Sequence, residues 1–183
     1  VQGVVICQTE RSKKGIETLD KFNVPYIVLD TYPIDYIGPY VANDVVAAGS
    51  LSAKHLLEVG CKKPVLIMPF LSEDNNSFSS FVCIREGFSS VLAARGVKFS
   101  SSNIFNAGLT IKAGFEILPK ILRTQPDIDG ILCGNDLCAL GVIDAIYKIG
   151  LKVGQGIAVM GIDDLPVSGL ERISLTSIQQ PYK

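Results

Sequence analysis

The sequence predicts an α/β fold, in which parallel sheets carry helices on both faces. Short runs rich in valine and isoleucine alternate with longer segments whose apolar residues recur at helical spacing. The short runs are apolar throughout, which is typical of strands buried on both faces. Glycine and proline separate most of the elements, so each strand is followed by room for a crossover helix.

The first part of the chain predicts a strand, a helix and a second strand. Residues 3–7 (GVVIC) form the first predicted strand, and residues 12–22 carry apolar side chains at helical spacing. Residues 26–29 (YIVL) form the second strand, which ends at Asp30. The segment 31–43 is rich in turn residues, so we expect a connection between two parts of the fold.

The remainder predicts four more helices and five more strands. Asn43 or Asp44 is expected to cap the first of these helices, and Thr110 to cap the third. The loop 69–80 is long and polar, which favours a functional or mobile segment. The predicted helices span about 44–60, 81–95, 110–123 and 137–149, and the predicted strands span 65–68, 103–105, 130–133, 157–160 and 174–178.

Composition and charge exclude several classes of function. The 183 residues are 48% hydrophobic and 19% charged, which predicts a globular protein. No apolar run approaches the roughly 20 residues that a membrane span needs. The formal charge is −1, and nucleic-acid affinity comes largely from Lys and Arg. We therefore expect no membrane partner and no DNA binding by this chain unaided.

The cysteines and the histidine predict neither a metal site nor a cofactor. The chain has five cysteines in no CxxC pair, and its one histidine, His55, is too few for a Cys/His zinc site. Reduced thiols are the better interpretation, which favours a cytoplasmic protein.

The sequence also argues against an enzyme. It has no P-loop, no GxGxxG motif after a strand and no GxSxG nucleophile elbow. Asp163 and Asp164 are adjacent, so their side chains diverge and do not form a shared carboxylate dyad.

Polar residues follow the predicted strands, where parallel sheets bind their ligands. They lie at 8–10, 30–32, 135–136 and 163–164. Carboxylates and amides suit a polyhydroxylated small molecule, and aromatic side chains such as Tyr40 suit its apolar face. At the 135–136 pair we expect Asp136 to cap the following helix and Asn135 to contact the ligand.

Five stretches together resemble the effector-binding core of LacI/GalR-family transcriptional repressors. They are "VPYIVLD", "HLLEVGCKKPVLI", "REGFSSVLAARGV", "ILCGNDLCALGVIDAIYKIGLKVGQGIAVMGIDD" and "LTSIQQP". The "NDxxALG" pattern is shared with periplasmic sugar-binding proteins, whereas GIDD followed by LTSIQQP is more specific to the repressors. The resemblance runs over nearly the whole chain.

The resemblance implies a two-lobed fold of the type I periplasmic-binding-protein class, incomplete here at both ends. Residues 1–40 and about 175–183 would form part of the N-terminal lobe, 41–169 the C-terminal lobe, and 170–174 a crossover. Family members carry a helix-turn-helix headpiece and a hinge before the part equivalent to this chain. Operator DNA would therefore be bound only through a headpiece that is absent from this chain.

The resemblance also implies which residues contact the ligand. Asp30, Asn135, Asp163 and Gln180 fall where family members contact a sugar or related effector. The family's arginine stands at the position of Ile84, and Arg85 lies one residue later, rotated by about 100° on a helix. Either Arg85 reaches the ligand through a local shift, or the site lacks the contact of a guanidinium group with adjacent ligand oxygens. Tyr40 and Tyr182 lie near the lobe crossovers, where they would close over the ligand.

The function implied is that of an effector-binding and dimerisation core. A small polar ligand, a sugar such as ribose, would bind between the lobes and control DNA binding by hinge closure. On one helix Leu140, Ile143 and Tyr147 share a face, which is expected to be core or a dimer contact, and the family would make it a homodimer contact. The alternative is a periplasmic sugar-binding protein of a transport system, which has the same fold.

Overall fold

The computed structural model describes residues 2–7, 13–29, 38–69 and 80–181. The strands are β1 (Val4–Cys7), β2 (Tyr26–Leu29), β3 (Tyr40–Val41), β4 (Pro64–Met68), β5 (Ile104–Asn106), β6 (Gly130–Cys133), β7 (Ala158–Ile162) and β8 (Thr176–Ile178). The helices are α1 (Lys13–Lys21), α2 (Val45–Glu58), α3 (Ser80–Ala94), α4 (Ile111–Thr124) and α5 (Asp136–Lys148), and a short 3₁₀ helix spans Ser101–Asn103.

The strands form two parallel sheets. One has the order β1-β2-β3, and the other has the order β5-β4-β6-β7-β8. All strand pairs are parallel, as the alternation of strands and helices predicts. The carboxyl ends of the five strands in the larger sheet therefore share one edge, and their amino ends share the other.

Strand residues of the larger sheet alternate between two hydrophobic cores. Val65, Ile67 and Ile131 pack with α4 and α5, whereas Leu66 and Leu132 pack with α2 and α3. The whole of β4 and β6 is buried, because helices cover both faces. The continuous apolar runs of the sequence therefore correspond to the centre of this sheet.

Glycines allow the helices on each face to touch through their backbones. A Cβ at Gly49 of α2 would overlap the Ile84 carbonyl oxygen, and one at Gly87 of α3 would overlap that of Val46. On the other face Gly114 and Gly141 make the same kind of contact between α4 and α5. A larger residue at any of these four positions would push a helix pair apart.

Most predicted elements are present, and two differ. The segment 31–43 was predicted to be a connection, yet Tyr40–Val41 forms β3 beside β2. Residues from about 175 were assigned to the N-terminal lobe, but Thr176–Ile178 pairs with β7 in the larger sheet. That assignment was wrong for β8, because its backbone completes the edge of the larger sheet. Across the described ranges no helix has the length and apolar character needed to cross a membrane.

Candidate functional site

Asn135 begins helix α5 at the carboxyl end of β6. Its side-chain Oδ1 accepts a hydrogen bond from the Cys138 N–H at 2.9 Å, and its Nδ2 donates to the Leu109 carbonyl at 3.2 Å. The backbone of Asn135 is extended, as a helix cap requires. The prediction that Asp136 caps this helix was therefore wrong, since Asn135 is the cap.

Asp136 instead is the centre of a buried hydrogen-bond network. Its side chain has no solvent exposure. One carboxylate oxygen accepts from the Leu165 N–H at 2.8 Å and from Ser168 Oγ at 2.6 Å, and the other accepts from Ser177 Oγ at 2.5 Å. Asp136 thereby fixes the segment after β7 to β8, and that segment begins with Asp163.

Asp163 lies directly after β7, in a backbone conformation that is rare for a residue with a side chain. Its φ is 114°, and that of Asp164 is 51°. The Asp163 N–H donates to the Ile178 carbonyl at 3.0 Å. Asp164 is held on the same side, because its N–H donates to Ser177 Oγ at 3.0 Å and its Oδ2 accepts from Gln179 at 2.9 Å. Strained backbone that is held by several contacts is common at ligand sites.

Gln180 connects Asp163 to the segment that enters α2. Gln180 Nε2 donates to Asp163 Oδ1 at 2.6 Å, and Gln180 Oε1 accepts from Asn43 Nδ2 at 2.7 Å. All three residues are partly exposed, so the chain of hydrogen bonds lies at the surface of the carboxyl edge. The structure thus brings two of the predicted ligand residues, Asp163 and Gln180, into direct contact.

An aromatic ring that the sequence analysis did not single out lies beside Asn135. A Cβ at Gly134 would come within 3.2 Å of Phe81 Cε1 and within 3.0 Å of a Leu109 methyl group. Phe81 opens helix α3 and is partly exposed. Phe81 follows a polar loop rather than a strand, so a search of strand ends misses it.

Arg85 lies on the exposed side of α3, whereas Ile84 is buried in the core at 3% exposure. Arg85 lines a pocket of about 220 Å³ with Phe81, Met68 and Ile104. Phe81 borders both this pocket and Gly134. Arg85 thus lines a pocket between α3 and the start of β5, and it does not share the buried environment of Ile84.

Three further residues were predicted to lie near the ligand, and the structure describes one of them. Tyr40 is in β3, three residues before Asn43, with 46% exposure. Asp30 and Tyr182 lie outside the described residues.

The face of α5 that was assigned to a homodimer contact is divided in the structure. Ile143 has 7% exposure and belongs to the core with α4, whereas Tyr147 is 52% exposed. Ile143 is therefore a core residue, because α5 packs on α4 through the close approach at Gly141. Of the two expectations for this face, core or dimer contact, the structure supports the core for Ile143.

A larger cavity, of about 670 Å³, lies at the amino edge of the same sheet. Its walls include His55, Cys61, Asp129, Tyr147 and Arg172. The Asp129 carboxylate accepts from the backbone N–H groups of Lys62 and Lys63 at 2.7 and 2.8 Å, so it fixes the turn before β4. Burial, together with the charge of Asp129, raises the pKa of the Cys61 thiol to about 11. The Asp129 carboxylate and the Ser174 hydroxyl, which donates to the Glu171 carbonyl at 2.8 Å, support turns of the chain here.

Comparison with known proteins identifies the family. The family model described as "Periplasmic binding proteins and sugar binding domain of LacI family" matches residues 1–183. The ribose operon repressor of Halalkalibacterium halodurans is 29% identical over 187 residues, which cover 99% of this chain and 51% of that protein. The HTH-type transcriptional repressor PurR of Glaesserella parasuis is 27% identical, over 98% of this chain and 52% of that protein. The chain spans about half the length of the curated relatives it matches.

Solved structures confirm the fold. A LacI family transcriptional regulator from Enterococcus faecalis V583, solved with bound ribose, superposes with a TM-score of 0.82 at 28% identity. The match covers 99% of this chain and 63% of that one. The transcriptional regulator CelR in complex with cellobiose superposes with a TM-score of 0.87 at 24% identity, over 99% of this chain and 54% of that one. This second likeness is a likeness of fold alone.

Proposed function

Because the chain belongs to the family of periplasmic binding proteins and sugar-binding domains of the LacI family, we propose that it is the effector-binding core of a LacI-family transcriptional regulator. Its ligand is a small polar molecule, a sugar such as ribose. Two observations support the proposal: the family match runs over residues 1–183, and Asn135, Asp163 and Gln180 all follow strands at the carboxyl edge of the larger sheet. Parallel α/β sheets bind ligands at that edge.

The chemistry of this edge suits a polyhydroxylated ligand. The Asp163 carboxylate accepts from hydroxyl groups, the amides of Asn135 and Gln180 donate and accept, and Phe81 offers an apolar ring face. Asp30 and Tyr40 are proposed to approach from the N-terminal lobe. Arg85 is proposed to reach the ligand from the side, through the pocket it shares with Phe81.

Closure of two lobes is the proposed route from ligand to DNA. We assign residues 1–40 to the N-terminal lobe and 41–169 to the C-terminal lobe. Residues 170–174 lead to the segment in which the chain crosses back to the N-terminal lobe. Because β8 belongs to the larger sheet, we place the return to the N-terminal lobe after Ile178. A ligand that binds the closed arrangement more tightly shifts the population toward it by that difference in affinity.

The proposed partners follow from the same family. Operator DNA is bound by a headpiece of the whole protein, since this chain has a formal charge of −1 and no basic excess. We propose a cytoplasmic homodimer. Tyr147, Ile149 and Leu151 are large, exposed apolar residues close together in sequence at the end of α5, and we propose that they contribute to the dimer contact.

A periplasmic sugar-binding protein is the alternative within this fold. The relatives reported above bear the names of repressors and regulators, which supports the regulator and a protein that is not an enzyme. The two functions differ in one measurable property, because only the regulator changes its affinity for DNA when the ligand binds.

The test is a ligand screen followed by a DNA-binding assay on the full-length protein. Sugars and nucleobases are screened by thermal shift, where a ligand at ~100 Kd stabilises by about 2.7 kcal/mol. The stabilising ligand is then added while operator binding is followed by fluorescence anisotropy. We expect a change in DNA affinity that is lost in D163A. A ligand that stabilises the protein and leaves DNA affinity unchanged would favour the alternative.

A further inference from the structure

Asn43 joins two segments that are remote in sequence. It lies between β3 and α2, where the chain passes from the smaller sheet to the larger one. Gln180 comes shortly after β8, and the two residues are 137 positions apart. Their side chains nevertheless form a hydrogen bond of 2.7 Å, and Gln180 continues to Asp163 at 2.6 Å. One chain of three side chains thus ties both segments to the carboxylate of the proposed site.

The carboxylate of Asp163 determines which group donates and which accepts in each of these hydrogen bonds. An ionised carboxylate only accepts hydrogen bonds, so Gln180 must turn its NH₂ group towards Asp163. The carbonyl oxygen of Gln180 then faces Asn43, which must present its own NH₂ group. A carboxylate at position 43 would place two acceptors face to face.

We propose that Asn43 is a positioning residue, which sets the orientation of the Gln180 amide and so the pattern that the site offers its ligand. That pattern is a carboxylate acceptor beside an amide N–H donor. The NH₂ group of Gln180 has two N–H bonds, and the contact with Asp163 uses one of them. This refinement rests on the proposed function, since it takes Asp163 and Gln180 as ligand contacts.

The pattern matches a vicinal diol. One hydroxyl of the diol donates to Asp163, while the neighbouring oxygen accepts the second N–H of Gln180. A sugar that lacks one of the two hydroxyls loses one of these bonds and leaves a polar group of the site unpaired. A site discriminates more strongly against a ligand that leaves one of its polar groups unpaired than against a ligand that differs only in shape.

The first experiment needs no ligand and tests the hydrogen bonds that join Asn43, Gln180 and Asp163. N43D and D163N are each made in the full-length protein, together with the double variant, and thermal midpoints are measured. N43D should lower the midpoint by about 2–4 °C, because it places a carboxylate against the Gln180 carbonyl oxygen. D163N should cost less, because the asparagine can still turn its Oδ1 towards the Gln180 NH₂ group. The double variant should lose clearly less than the sum, because the chain can then run in reverse.

Gln180 is the control for this cycle, since its amide hydrogen-bonds to both substituted positions. In a Q180A background the same cycle should lose most of its coupling. Additive losses with Gln180 present would overturn the proposal. If D163N does not fold, a cycle of N43A with Q180A replaces it, and the absence of coupling in that pair would overturn the proposal equally.

The second experiment tests the consequence for specificity. Ribose and 2-deoxyribose are titrated by calorimetry into full-length wild type, N43D and D44A. Asp44 is the matched control, because it is the adjacent residue and its side chain caps α2 through the Ala47 N–H. We expect N43D to bind ribose about tenfold more weakly and to lose most of its preference over 2-deoxyribose, while D44A binds as wild type does.

The outcomes separate this inference from the proposed function. If wild type binds ribose and N43D binds it with the same affinity and preference, the positioning role is wrong and the proposed function stands. If wild type binds neither sugar, the thermal cycle still decides whether Asn43 orients Gln180, and ribose is excluded as the effector.

Discussion

The two edges of the five-stranded sheet use polar side chains in different ways. At the carboxyl edge, Asp136 is wholly buried and accepts three hydrogen bonds, and Asp163 accepts from Gln180. At the amino edge, Asp129 accepts from two backbone N–H groups of a surface turn, beside a cavity of about 670 Å³. The larger of the two cavities is thus at the edge where the Asp129 carboxylate supports a turn.

The contrast supports the site that we propose at the carboxyl edge, although the larger of the two cavities lies at the other edge. A sugar site needs oriented donors and acceptors, because each unpaired polar group costs binding free energy. The carboxyl edge has side chains whose orientation other side chains determine. The amino edge has more volume, yet each oxygen of its Asp129 carboxylate already accepts a backbone N–H of the turn.

The largest expected effect comes from the buried carboxylate of the carboxyl edge. D136A removes the acceptor of the Leu165 N–H and of two serine hydroxyls, so we expect a loss of about 3 kcal/mol in the free energy of unfolding. Chemical denaturation measures it. D129A is the matched control at the amino edge, and it should cost about 1 kcal/mol, since water can solvate the released N–H groups. Equal losses at the two edges would contradict the comparison.

The second expected effect is on ligand affinity. D163A should weaken binding of the stabilising sugar about 10–100-fold, because a charged acceptor is lost from the site. R172A, in the wall of the cavity at the amino edge, should leave the affinity within about twofold of wild type. Titration calorimetry on the full-length variants measures both. An affinity that falls with R172A and survives D163A would move the site to the other edge.

A smaller effect concerns alkaline pH and the amino edge. The pKa of the Cys61 thiol is raised to about 11 by burial and by Asp129, from an ordinary value of 9.0. A raised pKa of an acid means that the folded state binds the proton more tightly. This contribution is complete below about pH 9 and is lost as the pH rises towards about 11. In C61A the free energy of unfolding should fall less steeply over that range, and an identical slope would contradict the assignment.

The smallest effect is chemical and leaves the fold intact. All five cysteines are free, and Cys7 is exposed whereas Cys61, Cys83, Cys133 and Cys138 are buried. Of these five thiols, an aromatic disulfide reagent should therefore label Cys7 rapidly in the native protein and the other four only after denaturation. Rapid labelling of any of the four buried thiols in the native state would show that the cores on the two sheet faces open readily.

Local sequence patterns predicted most of the elements, because apolar runs and caps are local signals. Asp44 and Thr110 cap α2 and α4 as expected, through the N–H groups of Ala47 and Ala113. The exchange of roles between Asn135 and Asp136 was not predictable in this way. Both residues are good caps, and the three partners of Asp136 lie 29 to 41 positions away, so only the tertiary fold decides between them.

Other features of the site depend on the same long-range contacts. Asn43 and Phe81 precede or open helices and follow no strand of the larger sheet, so no local pattern marks them as neighbours of the site. Thr176–Ile178 was assigned to the wrong lobe, since three residues do not reveal which sheet edge they complete. The four glycines at the helix contacts look like ordinary helix glycines in the sequence, and their role appears only when facing backbones meet.

The most direct test of the central claim is a crystal structure of the full-length protein with the sugar that stabilises it most. We expect sugar oxygens within about 3 Å of the Asp163 carboxylate and of the Gln180 amide, at the carboxyl edge of the five-stranded sheet. A sugar bound in the cavity lined by Tyr147 and Arg172, with the carboxyl edge unchanged, would contradict it.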